Sequence, residues 1–362
     1  MNCLELFAGA GGLALGLHQA GFKIVGAVEF DKYACETLRQ NDFVEKVIEA
    51  DITKISNIKD YITEDIDLIS GGFPCQTFSY AGARRGFADT RGTLFHDYAR
   101  ILAQVKPKMF IAENVKGLLS HDKGRTFETI YNTFKEIGYD ITYKVLNSAD
   151  YGVPQKRERL IIVGVRADLR NKFEFSDFKS LPFALKAIKE RTANGCHYIP
   201  YSEEKKHVLE QVPAGGCWRD LPDDVAKEYM GKAYYSGGGR TGMARRLSWE
   251  KPSPTLTTSP NQKQTELCHP DETRPLSIEE YAAIQTFPKD YKFAGSIRQV
   301  YKQIGNAVPV ELAFNIGGEI IHHLTHCPKY IERAVIRDDV KKRYIYTTVE
   351  IAQTEKSFKG FM

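Results

Sequence analysis

Hydrophobic positions in the first 166 residues switch repeatedly between a period of two and a period of three to four. Short apolar runs at 3–6, 23–28, 67–70, 109–112 and 160–165 predict strands. The last is largely β-branched, as in a strand covered on both faces. Between them, 13–20, 33–40 and 95–105 predict helices, the third closing before Pro107. Phe127, Ile130, Tyr131, Phe134 and Ile137 recur at spacings of one, three and four, along one face of a further helix. Strands alternating with helices in this way predict an α/β fold with a parallel sheet.

The texture changes near residue 167. From there to about 273, Pro, Gly and short mixed segments dominate. Helical order returns at 277–286 and 310–322, and 328–362 carries two short β-like runs among eight basic and five acidic residues. There is no internal repeat or low-complexity segment. A chain of 362 residues with this break is expected to form two domains.

Composition narrows the class without naming it. With 42% apolar and 27% charged residues, the chain is an ordinary globular protein, which excludes disorder, collagen or coiled coil as its main architecture. Lys and Arg number 50 against 46 Asp and Glu, and a net charge of +4 argues neither for nor against a polyanionic partner. Local clustering is more informative. Within 231–264, Lys232, Arg240, Arg245, Arg246, Lys251 and Lys263 face Glu250 alone, among five glycines. That is either a solvated loop or a segment that brings Arg against phosphates and bases.

Seven cysteines with no CxxC spacing argue against a disulfide framework or zinc knuckle, and for a reducing compartment. Residues 4–17 are apolar like a signal-peptide core, but no Lys or Arg precedes them and Glu5 interrupts them. They read as a strand entering a glycine turn. No run reaches the roughly 18 apolar residues of a membrane helix, and a cytoplasmic location is expected.

The turn holding Phe7, Gly9, Gly11 and Gly12 follows the first strand and opens a helix. Bare backbone there can approach a nucleoside cofactor. Glu29 ends the second strand, where a carboxylate can reach ribose hydroxyls. The pattern fits NAD, FAD, S-adenosylmethionine, or a turn kept for packing. Asp51 suits an adenine amino group or a helix cap. Gly71, Gly72, Phe73, Pro74, Cys75 and Gln76 follow a strand's carboxyl end, where open α/β sheets bind ligands. An isolated cysteine is most often an inert buried hydrophobe, but these flanks argue for a positioned nucleophile. Glu113, with Asn114 and Val115, ends the next strand on the same sheet edge, as a surface cap or as an acid facing a substrate ring. Arg157 and Arg159, two residues apart, are expected to point the same way and to clamp an anion or pair with carboxylates.

In this order the segments resemble the DNA (cytosine-5) methyltransferases over nearly all of 1–320. Phe7 to Gly12 matches the first cofactor motif, Glu29 and Phe30 the acid–aromatic pair, Asp51 the adenine-reading acid, and Leu94 the apolar cofactor contact. Pro74-Cys75-Gln76 matches the nucleophile loop, and Glu113-Asn114-Val115 the base-contacting motif. Gln155, Arg157 and Arg159 match the basic motif, and Arg274-Pro275 with 279–288 the helix supporting the recognition domain. Residues 303–309 match the closing motif, and Thr255-Leu256 resembles a pair seen in the family's recognition domains.

The resemblance implies a Rossmann-like S-adenosylmethionine-dependent methyltransferase domain, 1–166 plus 274–322, with a smaller irregular target-recognition domain, 167–273. The extension 323–362 lies outside the pattern. It implies S-adenosylmethionine, released as S-adenosylhomocysteine, held by Phe7, Gly9, Gly11, Gly12, Glu29, Phe30, Asp51, Ile52, Pro74, Leu94, Asn306 and Val308, with no metal. Catalysis is expected from Cys75, Glu113, Arg157 and Arg159, through a Cys–C6 adduct on a cytosine flipped out of a short duplex site. Arg240, Arg245, Arg246 and Thr255 are the expected DNA contacts. A catalytic pattern starting at residue 2 resembles the compact modification enzymes of bacterial restriction systems. Those protect host DNA from an endonuclease, as a monomer making no stable complex with it.

The alternatives are a tRNA cytosine-5 methyltransferase, a nicotinamide dehydrogenase and a non-catalytic DNA-binding module. The first typically carries a Cys-Phe-Thr element, absent here. The second has no use for Pro74-Cys75-Gln76 or Glu113-Asn114-Val115, and the third none for Cys75 and Glu113.

Overall fold

The computed structural model describes residues 1–74, 93–177, 183–235 and 242–326, together with the backbone of 335–338 and 343–346. The chain begins β1 (Asn2–Leu6), α1 (Gly12–Ala20), β2 (Lys23–Glu29), α2 (Lys32–Arg39) and β3 (Val47–Glu49). It continues through β4 (Leu68–Gly71), α3 (Leu94–Val105), β5 (Met109–Val115), α4 (Arg125–Glu136) and β6 (Tyr139–Asn147). Two-residue β7 (Gln155–Lys156) and long β8 (Glu158–Arg166) follow.

These strands, apart from β7, form a seven-stranded sheet in the order β3-β2-β1-β4-β5-β8-β6. From β1 the chain winds outward to β3, then crosses back to β4 and winds the other way. The carboxyl ends of β1 and β4 therefore flank the point where strand order reverses, the place open α/β sheets leave a crevice. At that seam a Cβ on Gly71 would lie 2.3 Å from the Leu6 carbonyl oxygen, so only glycine lets the strands close up there.

The parallel sheet expected from the alternation holds for the pairs among β1 to β5. It does not hold beyond β5: β8 runs antiparallel to both β5 and β6. The ten residues between β6 and β8 are too few for a helical crossover, so the chain turns back on itself. This pairing also carries β5 three residues past the expected end, with Val115 opposite Arg159. β6 was not expected at all. Its apolar Tyr139, Ile141, Tyr143 and Val145 do alternate with polar Asp140, Thr142 and Lys144, so the strand signal is present in the sequence, although Tyr143 is exposed.

Under the sheet, α3 and α4 close an aromatic core. Phe95, Tyr98, Phe110, Phe134 and Tyr139 are fully buried, and the Phe110 and Phe134 rings lie 4.4 Å apart. The two phenols in it donate to backbone, Tyr98 to Ile111 O at 2.8 Å and Tyr139 to Pro107 O at 2.9 Å, so neither hydroxyl is stranded.

Between β8 and residue 276 lie α5 (Ile188–Arg191), α6 (Glu203–Glu210), α7 (Asp223–Met230) and β9 (Ser253–Pro254), the last paired in parallel with β7. This region has a small core of its own, built on Leu209, Val212, Leu221, Ala226, Ala244 and Cys268. Then come α8 (Ile278–Ile284), α9 (Ile297–Asn306) and α10 (Val310–His326). Ser277 and Glu280 cap α8 reciprocally, the side chain of each taking the other's backbone N–H.

By its contacts the chain divides into two units, 1–321 and 322–362. The second contains a hairpin of β10 (Val335–Asp338) and β11 (Arg343–Tyr346), matching the two β-like runs of the sequence. Among the described residues no helix is long and apolar enough to cross a membrane.

The sheet supplies one direct test of this packing. Gly164 on β8 sits opposite Phe110, and a Cβ there would lie 2.0 Å from that ring. Gly164→Ala is expected to cost about 1–3 kcal/mol through overpacking, read as a lower urea midpoint at unchanged slope.

Candidate active site

A cavity of about 330 Å³ opens at the carboxyl ends of β1 and β2, lined by Phe7, Val28, Glu29, Phe30, Ala50, Asp51, Ile52, Thr53 and Leu94. Its floor is the glycine turn. Phe7 and Gly9 both adopt left-handed backbone, with φ of 57° and 54°, and space is open where a Gly9 Cβ would stand. Gly12 is needed for a different reason: its Cβ would lie 2.3 Å from the Val308 carbonyl. The closing motif therefore packs directly on the start of α1.

Glu29 organises one wall. Its Oε2 accepts the Gly9 amide at 2.7 Å, and its Oε1 accepts those of Phe30 and Asp31 at 2.8 Å. Phe30 is left 74% exposed at the rim, an aromatic face without cover. Asp51 caps a short turn, its Oδ1 accepting the Thr53 hydroxyl at 2.8 Å and amide at 3.0 Å. Those bonds hold its carboxyl below the usual range. Both readings of Asp51 thus fit one place: it is a cap, and it lines the cavity. Beneath the turn, burial pushes the Glu5 carboxyl well up, reinforced by the nearby Glu29 charge.

Of the twelve expected cofactor residues, Phe7, Glu29, Phe30, Asp51, Ile52 and Leu94 line the cavity. Gly9, Gly11 and Gly12 shape the turn beneath it, Val308 packs on Gly12, and Pro74 and Asn306 are exposed. Cys75 and Arg240 lie outside the described residues.

The second centre sits at the ends of β5 and β8. Arg159 Nε donates to Glu113 Oε1 at 2.8 Å, and each side chain is 14% exposed. A Cβ on Gly72 would lie 2.7 Å from Glu113 Oε2, so the strand leading to Cys75 runs alongside this carboxylate. The Asn114 amide donates to Phe73 O at 2.9 Å and tethers the same strand two residues before Cys75.

Arg157 does not share Arg159's partners. Its guanidinium is fully buried and donates to Leu256 O at 3.1 Å and Gly305 O at 3.0 Å, while Nε has no partner. Burial pushes its pKa down to about 9, with Arg159 adding in the same direction, and it remains protonated at neutral pH. Gln155, also buried, accepts the Leu256 amide at 2.9 Å and donates to Gln285 at 2.8 Å. Gln285 in turn donates to Ile304 O at 2.7 Å and Ala307 O at 3.0 Å. Arg157 therefore joins separate parts of the chain and does not share Arg159's contact with Glu113.

The expected DNA contacts divide. Arg246 is withdrawn from that role. It is buried, and its five N–H groups all donate within the protein, to Val212 O, His269 O, Glu272 O, Leu209 O and the Thr273 hydroxyl. Arg245 is half-buried, and burial lowers its pKa. Thr255 is half-buried, its hydroxyl donating to Lys156 O at 2.8 Å.

Sequence reasoning passed over Gln285, and over Tyr291, whose hydroxyl donates to the Ala10 carbonyl in the glycine turn. Gln285 stood inside a matched segment, but nothing in its spacing marks a buried amide. Among the described residues no group of three or more His, Cys, Asp or Glu is placed to hold a metal ion.

The family of C-5 cytosine-specific DNA methylases matches residues 1–322. Among curated proteins, the Type II methyltransferase M.Sau96I of Staphylococcus aureus is 55% identical over 332 residues, covering 89% of this chain and 76% of its own. M.Eco47II of Escherichia coli is 52% identical over 331 residues, covering 89% and 79%. Among solved structures, a prophage-encoded DNA modification methyltransferase from E. coli superposes with a TM-score of 0.65 at 24% identity, covering 90% of this chain and 100% of that one. The S. pombe Dnmt2 methyltransferase gives 0.61 at 16%, covering 90% and 99%. At these identities the two structures speak for the fold.

Arg157→Met keeps most of the volume but strands the Leu256 and Gly305 carbonyls. A loss of about 1–3 kcal/mol in unfolding free energy is expected, measured by denaturant titration.

Proposed function

Because the chain belongs to the family of C-5 cytosine-specific DNA methylases, we propose how its residues divide the methylation of DNA cytosine among them. The observation that carries the reading is the Glu113–Arg159 pair beside the strand that leads to Cys75. S-adenosylmethionine, when bound, supplies an electrophilic methyl group. The cavity suits such a molecule: Phe30 offers an uncovered aromatic face, Asp51 an ionised acceptor for an adenine amine, and Glu29 a carboxylate for ribose hydroxyls.

C5 of cytosine is a poor nucleophile until C6 carries an added group. Cys75, as thiolate, adds to C6, and the ring electrons move to C5, which then takes the methyl. Glu113 accepts from the exocyclic amine with one oxygen and, protonated on the other, donates to N3, while Arg159 donates to the ring carbonyl, so the negative charge that develops across the base meets fixed donors. The C5 proton leaves to a water and the thiolate departs from C6, restoring the ring. A stacked base is out of the thiol's reach, so the cytosine leaves the duplex first, at a cost of a few kcal/mol.

In this reading 1–166 plus 274–322 is the catalytic domain and 167–273 the target-recognition domain. The separate small core around Leu209 and Leu221 supports that division. The Type II names of relatives above 50% identity support protection of host DNA against a restriction endonuclease; in this reading the protein acts in the cytoplasm, as a monomer without a stable nuclease complex. A tRNA substrate is not favoured: the family that matches residues 1–322 is that of C-5 cytosine-specific DNA methylases.

Two experiments test the assignment. Cys75→Ser is expected to abolish methyl transfer while cofactor binding stays near wild type, and 5-fluorocytosine duplex to trap the wild type as a denaturant-stable adduct. Turnover by a folded Cys75→Ser protein rules the covalent route out. Glu29→Ala and Asp51→Ala are each expected to weaken S-adenosylmethionine binding by about 1–3 kcal/mol in calorimetry, with DNA affinity unchanged.

A further inference from the structure

We propose that Glu266 and Arg246 are positioning residues for DNA recognition, a pair of buried charges that clamp the segment 242–246 and so set where Arg245 meets the duplex. This rests on the assignment of 167–273 as the DNA-reading domain.

Glu266 has no exposed surface and lies far from both centres of the active site in sequence. Its Oε1 takes Lys205 Nζ at 2.7 Å and the Tyr229 hydroxyl, and its Oε2 takes the backbone amide of Ala244. Its own amide donates to Gly242 O at 2.9 Å. One residue thus grips the segment at two points. At the first of them the backbone is unusual: Ala244 is left-handed at φ 44°, a conformation alanine keeps only when its surroundings impose it. Gly242 packs so closely that a Cβ would lie 2.2 Å from Gln264 O.

Arg246 grips from the other side with its five hydrogen bonds, and its amide donates to Gly216 O at 3.1 Å. The Arg245 carbonyl accepts the Cys268 amide at 3.0 Å, so the backbone of Arg245 is fixed as well. Burying two charges that do not pair with each other is a costly way to stabilise a loop. What the arrangement gives is a single placement of the one half-exposed arginine between them, and a bidentate contact to a base or phosphate depends on such placement.

The experiment is a double-mutant cycle in the full chain, reading KM for DNA, kcat, cofactor affinity and circular dichroism for Glu266→Gln, Arg245→Ala and the double variant. Glu266→Gln is expected to raise KM for DNA roughly tenfold with cofactor affinity unchanged, and the double variant to be no worse than Arg245→Ala alone within about twofold. A residue that only supports the fold gives multiplying effects instead. Tyr229→Phe removes one donor and carries the same cycle should Glu266→Gln fail to fold; a smaller effect in the same direction is expected. Multiplying effects, or wild-type KM in both Glu266→Gln and Tyr229→Phe, overturn the clamp while leaving the domain assignment standing. A wild-type KM and an unchanged methylation site in Arg245→Ala remove the assignment of this segment to DNA and the clamp with it.

Discussion

A buried guanidinium is the fixed point of this molecule. Arg157 donates to carbonyls at 256 and 305, positions about 100 and 150 residues further along the chain. A charge taken out of water is tolerated only where its hydrogen bonds are made, so the three segments cannot drift apart singly. The Gln155–Gln285 pair repeats the logic with neutral groups and extends it to 304 and 307. Arg159 stands two residues beyond this lock, and its pairing with Glu113 at 2.8 Å inherits that precision.

From that anchor the two chemical centres fall on one edge of the sheet. The cofactor cavity lies beyond β1 and β2, and the acid–arginine pair beyond β5 and β8, with β4 leading to Cys75 between them. Backbone approach closes the arrangement. Gly12 admits the Val308 carbonyl and Gly71 the Leu6 carbonyl, at distances that leave no room for a methyl group. Glu29, holding three amides of the turn and the next loop, keeps the cavity wall in shape.

Charge alone misled where burial decides the role. Arg245 and Arg246 are adjacent, equally basic and set in the same glycine-bearing stretch, yet one spends every donor inside the protein. Arg157 and Arg159 repeat the lesson at a spacing of two. Strand periodicity predicts a shared face, but the break between β7 and β8 at residue 157 lets the first turn inward. β6 escaped for a different reason: it alternates apolar and polar residues from Tyr139 to Val145, but exposed Tyr143 and half-buried Ile141 and Val145 leave it without the continuous apolar run that marks the other strands.

What the sequence determined by itself is whatever depends on local order. The alternating apolar periods set five of the sheet's seven strands and the four helices up to residue 166, and the glycine turn, Glu29, Asp51 and Glu113 fell at strand ends because motif and period coincide there. Tertiary structure decided everything that joins distant positions: the antiparallel β8, the lock of Arg157 onto residues 256 and 305, and the withdrawal of Arg246. The physical reason is that a hydrogen-bond donor carries no sign of its partner in its own residue type. Which carbonyl an arginine meets is settled only when segments far apart in the chain are packed against each other.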